Sequence, residues 1–279
     1  MTIHYLVDTS WVLYRGYHSL QHVWSDFPEL HFLVKKIESL LARKDAVCHL
    51  VLDGYNTKGR RILGEAYKQG RHPEGSYNVF AGLSSFLKIL NNDRIKVYYN
   101  KDYESDEIIF TLSRTLTDGR KKIISGDKDI LQALKEDTVI ENGSNLVVTE
   151  ESYKYEYAEK FFEVEPIKLP LFRAICGDSS DKLKPPVARF PKKLAAKIVK
   201  SLPYDGDVPS IEELKSVSDI SSSEKKWVSR LIEAYEPFSI NFDIMKLNVI
   251  TDNLNCKYDY TDEVLSDFLK SKIEHLNAL

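Results

Sequence analysis

Nine carboxylates stand where strand ends or helix starts would hold them, in five groups: Asp8 in LVDTS, Asp53 in VLDG, Glu104, Asp106 and Glu107 in YESDEII, Asp127 and Asp129 in ISGDKDI, and Asp178 and Asp181 in CGDSSDK. Any one of them has a plain explanation, because Asp and Glu commonly cap helices and fill loops. Gathered in one crevice they would repel one another and would need cations to stay ionised. Oxygen donors without an accompanying histidine or cysteine cluster select hard ions, so Mg²⁺ or Mn²⁺ is the expected partner. His18, His22 and His72 have no metal-ligand spacing. Such a donor set suits phosphodiester hydrolysis by two ions about 4 Å apart, one activating water and both steadying the charge that develops on oxygen.

The elements that would position these acids are legible as apolar runs. IHYLV (3–7), CHLVL (48–52), IKVYY (95–99) and KKIIS (121–125) read as strands, separated by helical stretches such as 31–43, 79–91 and 106–117. This βα alternation predicts an α/β fold with a mainly parallel central sheet flanked by helices. Three of the runs end in, or just before, Asp8, Asp53 and Asp127. Ligands of open parallel sheets sit beyond the carboxyl ends of the strands, so these three acids should converge. Glu104 and Glu107 share a helical face, and Asp106 and Glu107 fall in a first turn where the helix dipole favours negative charge. After about residue 165 the strand signal fades, with helices expected from 165 to Gly177 and near 191–202, 210–216 and 222–235.

The 279 residues are 43% hydrophobic and 29% charged, enough for a sizeable core in one large domain or two smaller ones. Disorder and fibres are excluded as the main state, and no apolar run approaches the roughly 20 residues that span a bilayer. The first residues lack a basic n-region, so no secretory signal is expected. Cys48, Cys176 and Cys256 are odd in number and far apart, which fits a reducing cytoplasm and argues against a disulfide or zinc framework. The net charge of −3 conceals a segregation: residues 182–200 carry Lys182, Lys184, Arg189, Lys192, Lys193, Lys197 and Lys200 with no acid, and residues 58–71 carry Lys58, Arg60, Arg61, Lys68 and Arg71 against Glu65 alone. One-signed patches suit a polyanion, although solvated helix faces have the same composition.

Six strings occur in order: LVDTSWVLYRGYHSL (6–20), VLDGYNTKGRR (51–61), AYKQGR (66–71), YESDEII (103–109), ISGDKDILQAL (124–134) and LFRAICGDSSDK (171–182). Together they resemble the 5′ nuclease family, which comprises the 5′ to 3′ exonuclease domains of bacterial DNA polymerase I, the stand-alone phage 5′ exonucleases and ribonuclease H-type enzymes, and the flap endonucleases. The resemblance covers roughly residues 3–250. It implies a PIN-like 5′ nuclease fold: a metal-dependent α/β domain over 1–165 with a helical arch at about 60–92, then a helical duplex-DNA-binding domain over 166–279 containing a degenerate helix-hairpin-helix. The implied activity is 5′ to 3′ exonuclease or flap endonuclease cleavage of DNA or RNA–DNA at 5′ ends, as in primer removal during replication. By position, Asp8, Asp53, Glu104, Asp106, Glu107 and Asp127 would hold one Mg²⁺, while Asp129, Asp178 and Asp181 would serve a second, partly through water. Lys68 would lie against the scissile phosphate beside the catalytic Asp53 and Asp127, with Arg71 and Arg60 on neighbouring phosphates. Tyr14 and Arg15 would meet the terminal nucleotides by stacking and charge; Tyr14 could equally be a core aromatic. The implied setting is the cytoplasm, that of the bacterial host if the chain is phage-encoded, and a monomer with no membrane contact acting on DNA carrying a 5′ single-stranded end or flap, or an RNA–DNA hybrid, with a single-strand-binding protein or sliding clamp as a protein partner.

Two departures stand out. Glu107 replaces the family's usual aspartate, one methylene longer. The glycine-rich hairpin that usually follows the last aspartate is here Pro185-Pro186-Val187-Ala188-Arg189-Phe190-Pro191-Lys192. Proline has no N–H and the glycine conformations are gone, so backbone cradling of phosphate is lost. The side-chain charges of Lys184, Arg189, Lys192, Lys193 and Lys197 would take its place. Two other classes compete. An aspartyl-nucleophile phosphohydrolase wants a second Asp two residues after the nucleophile, but Asp8 is followed by Thr9-Ser10 and Asp53 by Gly54-Tyr55. A non-catalytic DNA-binding scaffold of the same fold is encouraged by the altered hairpin and opposed by nine standing carboxylates.

Overall fold

A computed structural model describes residues 1–24, 26–54, 78–142, 146–256, 258 and 263–279. Arg60, Lys68, Arg71 and most of the expected arch lie outside the described residues. Six strands form one sheet: β1 (Ile3–Asp8), β2 (Ala46–Val51), β3 (Ile95–Tyr98), β4 (Arg120–Ile124), β5 (Thr138–Glu141) and β6 (Val147–Val148). Their order is β3-β2-β1-β4-β5-β6, and every pairing is parallel except β5 with β6. All four expected strands are present with ends displaced by a residue or two; β2 begins at Ala46 because Ala46 pairs with Ile3. The last two strands were not foreseen, since four and two residues are too short to show a period.

Side chains alternate across the sheet and so feed two apolar layers. Leu6 and Ile123 join one cluster with Ile108 and Ile109, whereas Val7, Leu50 and Ile124 join the other with Leu30, Leu33 and Phe86. The helices α1 (Thr9–Leu20), α2 (Pro28–Leu41) and α3 (Leu83–Ile89) supply the second layer, and α4 (Ser105–Thr115) supplies the first. Helix α3 is shorter than expected because it starts on Gly82, a residue at φ 73. Beyond the sheet come α5 (Glu150–Glu156), α6 (Ala158–Phe161), α7 (Leu169–Cys176), α8 (Lys192–Ser201), α9 (Ile211–Ser216), α10 (Ser222–Glu233), α11 (Tyr235–Met245) and α12 (Asp267–Ala278). The expected helix from 165 divides into a short 3₁₀ turn at Pro166–Lys168 and α7, with prolines at the start of each.

Residues from both halves of the chain share the first apolar cluster: Phe161 and Val164 pack with Leu171, Ile198, Leu231 and Phe238. The chain then returns, and Leu269, Ile273 and Leu276 of α12 close the other layer against the first hundred residues. A lysine of the sheet lies inside this packing. Lys121 of β4 is 1% exposed, and its Nζ lies 2.5 Å from Asp137 Oδ2. Among the described residues no helix is long and apolar enough to cross a membrane.

Candidate active site

The strand order reverses at β1, with β2 and β3 on one side and β4 and β5 on the other. That switch point is where parallel sheets open a crevice. Asp8 ends β1 at that switch point, and the same residue caps α1 by accepting the Trp11 N–H at 3.0 Å. Ser125 Oγ donates to Asp8 Oδ2 at 2.8 Å, and Ser105 Oγ approaches Oδ1 at 3.4 Å. Asp53 lies just beyond β2, where its Oδ1 accepts the Ser105 N–H at 2.7 Å. Gly54 makes that contact accessible: a Cβ there would come within 2.4 Å of the Asn100 carbonyl oxygen, so only glycine lets this loop close against the strand end. Asp127 follows β4, donates its N–H to Ser125 Oγ at 3.1 Å and accepts the Asp129 N–H at 2.9 Å. Asp53, Asp8 and Asp127 therefore stand in a row across adjacent strands.

Burial, followed by the charges of Asp53 and Asp127, pushes the Asp8 carboxyl up to about 7, against the lowering effect of the Trp11 N–H and the Ser125 hydroxyl. Carboxylates that raise one another's proton affinity are the environment a cation relieves, and oxygen-only donors fit Mg²⁺ or Mn²⁺. Among the described residues no three Asp, Glu, His or Cys side chains are already arranged as the ligand shell of one metal ion. The fit is therefore one of donor chemistry and charge.

Helix α4 brings the third group of acids to the same edge, with Glu104 as its N-cap. Glu107 turns back so that its Oε2 accepts the Glu104 N–H at 3.1 Å, closing a capping box, and Asp106 accepts the Glu107 N–H at 2.7 Å. In that box the long side chain of Glu107 spans from the third helical position back to the helix start. The departure from aspartate thus has a structural employment that the sequence did not disclose.

Asp129, Asp178 and Asp181 also come together, but around the guanidinium of Arg173. Burial alone would raise the Asp178 carboxyl; the Arg173 charge and the hydrogen bonds from Ser180 outweigh it and hold the group at about 2. Sequence reasoning missed Arg173. The available signal was an arginine set in the apolar run Leu171-Phe172-Arg173-Ala174-Ile175, all of it buried. A buried arginine needs anionic partners.

Tyr14 is half-buried, edge-on to Phe80 at 5.8 Å, and its hydroxyl pKa is raised by burial and by Asp53, which places it in the field of the carboxylate row. The Arg15 guanidinium rests 5.3 Å from the Trp11 ring and 5.9 Å from the Phe32 ring. Lys184, Arg189, Lys192 and Lys193 are exposed, whereas Lys197 is half-buried and pairs with Glu224 at 3.5 Å. Trp11 also lies on the turn that carries Asp127: a Cβ on Gly126 would meet its Nε1 at 2.4 Å. Gly126→Ala is therefore expected to cost about 2 kcal/mol by displacing the indole. Urea unfolding with a shift in tryptophan emission checks this, and an unchanged midpoint would show that the turn has slack.

The family model for the 5′-3′ exonuclease, N-terminal resolvase-like domain, matches residues 3–162. DNA polymerase I of Bacillus caldotenax is 27% identical over 220 residues, covering 75% of this chain and 25% of the polymerase, so the chain spans about a quarter of the length of that relative. A 5′-3′ exonuclease of Aquifex aeolicus is 27% identical over 288 residues, covering 99% of this chain and 89% of that protein. Among solved structures, a bacteriophage T5 flap endonuclease in complex with DNA and metal ions superposes with a TM-score of 0.61 at 10% identity over 100% of both chains, and so shares the fold. Because that family model spans more than half of its 279 residues, the chain belongs to the 5′-3′ exonuclease family with the N-terminal resolvase-like domain.

Proposed function

We propose that this chain is a structure-specific, metal-dependent 5′ nuclease, a 5′ to 3′ exonuclease or flap endonuclease that hydrolyses phosphodiesters of DNA or RNA–DNA near a 5′ end. The observation that carries this reading is the row Asp53, Asp8, Asp127 at the carboxyl edge of three adjacent parallel strands. A divalent ion bound there would polarise the phosphate and lower the pKa of water to near neutrality. Asp8, pinned by Ser125, Ser105 and the Trp11 N–H, would give the site its rigid floor. Asp53 and Asp127 would flank it, their orientation held by the Ser105 and Asp129 backbone N–H groups.

Other residues would bind and orient the nucleic acid. Tyr14, with Arg15 propped on Trp11 and Phe32, offers a stacking and cationic wall beside the crevice for terminal nucleotides. Lys68, Arg71 and Arg60 carry over from the resemblance alone as the groups on the scissile and neighbouring phosphates. Helices α7 and α8, joined by residues that turn at Gly177 (φ 71), Lys182 (φ 58) and Arg189 (φ 58), would serve as the degenerate helix-hairpin-helix. The exposed Lys184, Arg189, Lys192 and Lys193 would grip duplex phosphate by shape and charge rather than by base sequence. The division between nuclease and duplex-binding regions would then fall near residue 165, and the activity would serve replicative primer removal, as the resemblance implies.

A flap duplex labelled at the 5′ or the 3′ end, incubated with Mg²⁺ and separately with EDTA, tests the reading. Short 5′ products or a junction-length product with Mg²⁺, and none with EDTA, are expected. Tight binding without cleavage would return the scaffold alternative, and phosphate release from small esters without oligonucleotide products would return the phosphohydrolase.

A further inference from the structure

Asp129 comes from the 3₁₀ turn after β4, and Asp178 and Asp181 come from the loop after α7; all three point at one guanidinium. Arg173 Nη1 pairs with Asp129 Oδ1, while Nη2 pairs with Asp178 Oδ2 and lies 3.7 Å from Asp181 Oδ2. Arg173 is 7% exposed, and Asp129 and Asp181 are 4% exposed each. The loop is shaped to close on it. Gly177 turns at φ 71, where a Cβ would meet the Leu183 carbonyl oxygen at 2.7 Å. The Asp178 and Leu183 backbones exchange hydrogen bonds of 2.9 and 2.8 Å, and the Ser180 N–H donates to Asp178 Oδ1 at 2.7 Å.

A guanidinium never deprotonates in a protein, and its planar fork of donors suits several carboxylates at once. A divalent ion at the same three acids would need the same lone pairs, and it would sit beside a buried positive charge. The two cations are therefore alternatives at this place. The chemistry differs from that of the Asp8, Asp53, Asp127 row, where carboxylate faces carboxylate.

We propose that Arg173 is the resident cation of the second carboxylate group, so that Asp129, Asp178 and Asp181 form an arginine-closed knot rather than a divalent-ion site. The ion requirement of the chain is then carried by the row at the strand ends. This rests on the nuclease reading above for the first group and revises the expectation of a second ion. The knot ties α7 to the turn after Asp127, so Arg173 acts as a positioning residue for that strand end.

Mn²⁺ titration of the full chain, with free ion read by electron paramagnetic resonance, tests this without reference to turnover. The wild type is expected to bind one ion, Asp181→Asn to bind the same one, and Arg173→Met to bind a second and to gain thermal stability on adding Mn²⁺. Two ions on the wild type with one lost in Asp181→Asn would overturn the proposal, as would a folded Arg173→Met that still binds one. Should Arg173→Met fail to fold, Asp181→Asn decides: an unchanged count supports the knot and a lost ion overturns it. Failure of the nuclease reading looks different, namely uncut flap DNA with Mn²⁺ bound.

Discussion

Asp8→Asn lowers Mg²⁺-dependent cleavage of a 5′ flap about a thousandfold, the equivalent of roughly 4 kcal/mol in the barrier, because it removes the fixed anionic floor on which a divalent ion would rest. The same substitution stabilises the metal-free protein at neutral pH. In the folded chain the Asp8 carboxyl titrates at about 7 instead of 3.8, so between these values the folded state holds the extra proton. Its contribution is fully present below the ordinary carboxylate range and is lost as pH rises through about 7, with an upper bound of about 4 kcal/mol. That loss belongs to the row as a whole, since Asp53 and Asp127 raise the same proton affinity. Asparagine keeps the shape without the charge. EDTA-treated wild type should lose thermal stability from about pH 5 to about pH 8 more steeply than the variant, and Mg²⁺ should restore it only in the wild type. Equal pH slopes in the two proteins would show that the row bears no such repulsion.

Asp137→Ala costs about 3 kcal/mol of stability, because it leaves the Lys121 ammonium inside the sheet without its counter-ion. Burial opposes ionisation of Asp137, but the hydrogen bonds from Lys121 and Thr138 overcome it and hold the carboxyl at about 2. The contribution of Asp137 is thus present above the ordinary carboxylate range and fades as pH falls towards 2. Lys121→Met combined with Asp137→Ala should recover most of the loss, since two apolar groups leave nothing unpaired. Urea midpoints for the two singles and the double give the coupling, and additive losses would mean that the pair is not the cause. Cleavage measured well below the unfolding temperature should survive in Asp137→Ala, because the pair lies at the opposite end of β4 from Asp127.

How much of this was legible in the sequence follows from the range of each interaction. Strands of a parallel sheet covered by helices carry short apolar runs, so β1, β2, β3 and β4 were legible from theirs, and the aspartates beyond β1, β2 and β4 were read with them. The two short strands β5 and β6 gave no period to read. Glu107 was visible as a longer side chain, but whether it turned back to Glu104 or forward into the crevice depended on the helix start and its capping geometry.

By itself the sequence determined the α/β alternation, the placement of Asp8, Asp53 and Asp127 at strand ends, and the basic segment after Asp181, because each is written in neighbouring residues as a period, a run or a charge count. Tertiary structure alone decided that α12 returns to close the layer begun by Leu30 and Phe86, and that Arg173 enters the second group of acids. Both depend on residues distant in the chain meeting in a water-poor interior, where an apolar face must find a cover and a buried charge must find its opposite.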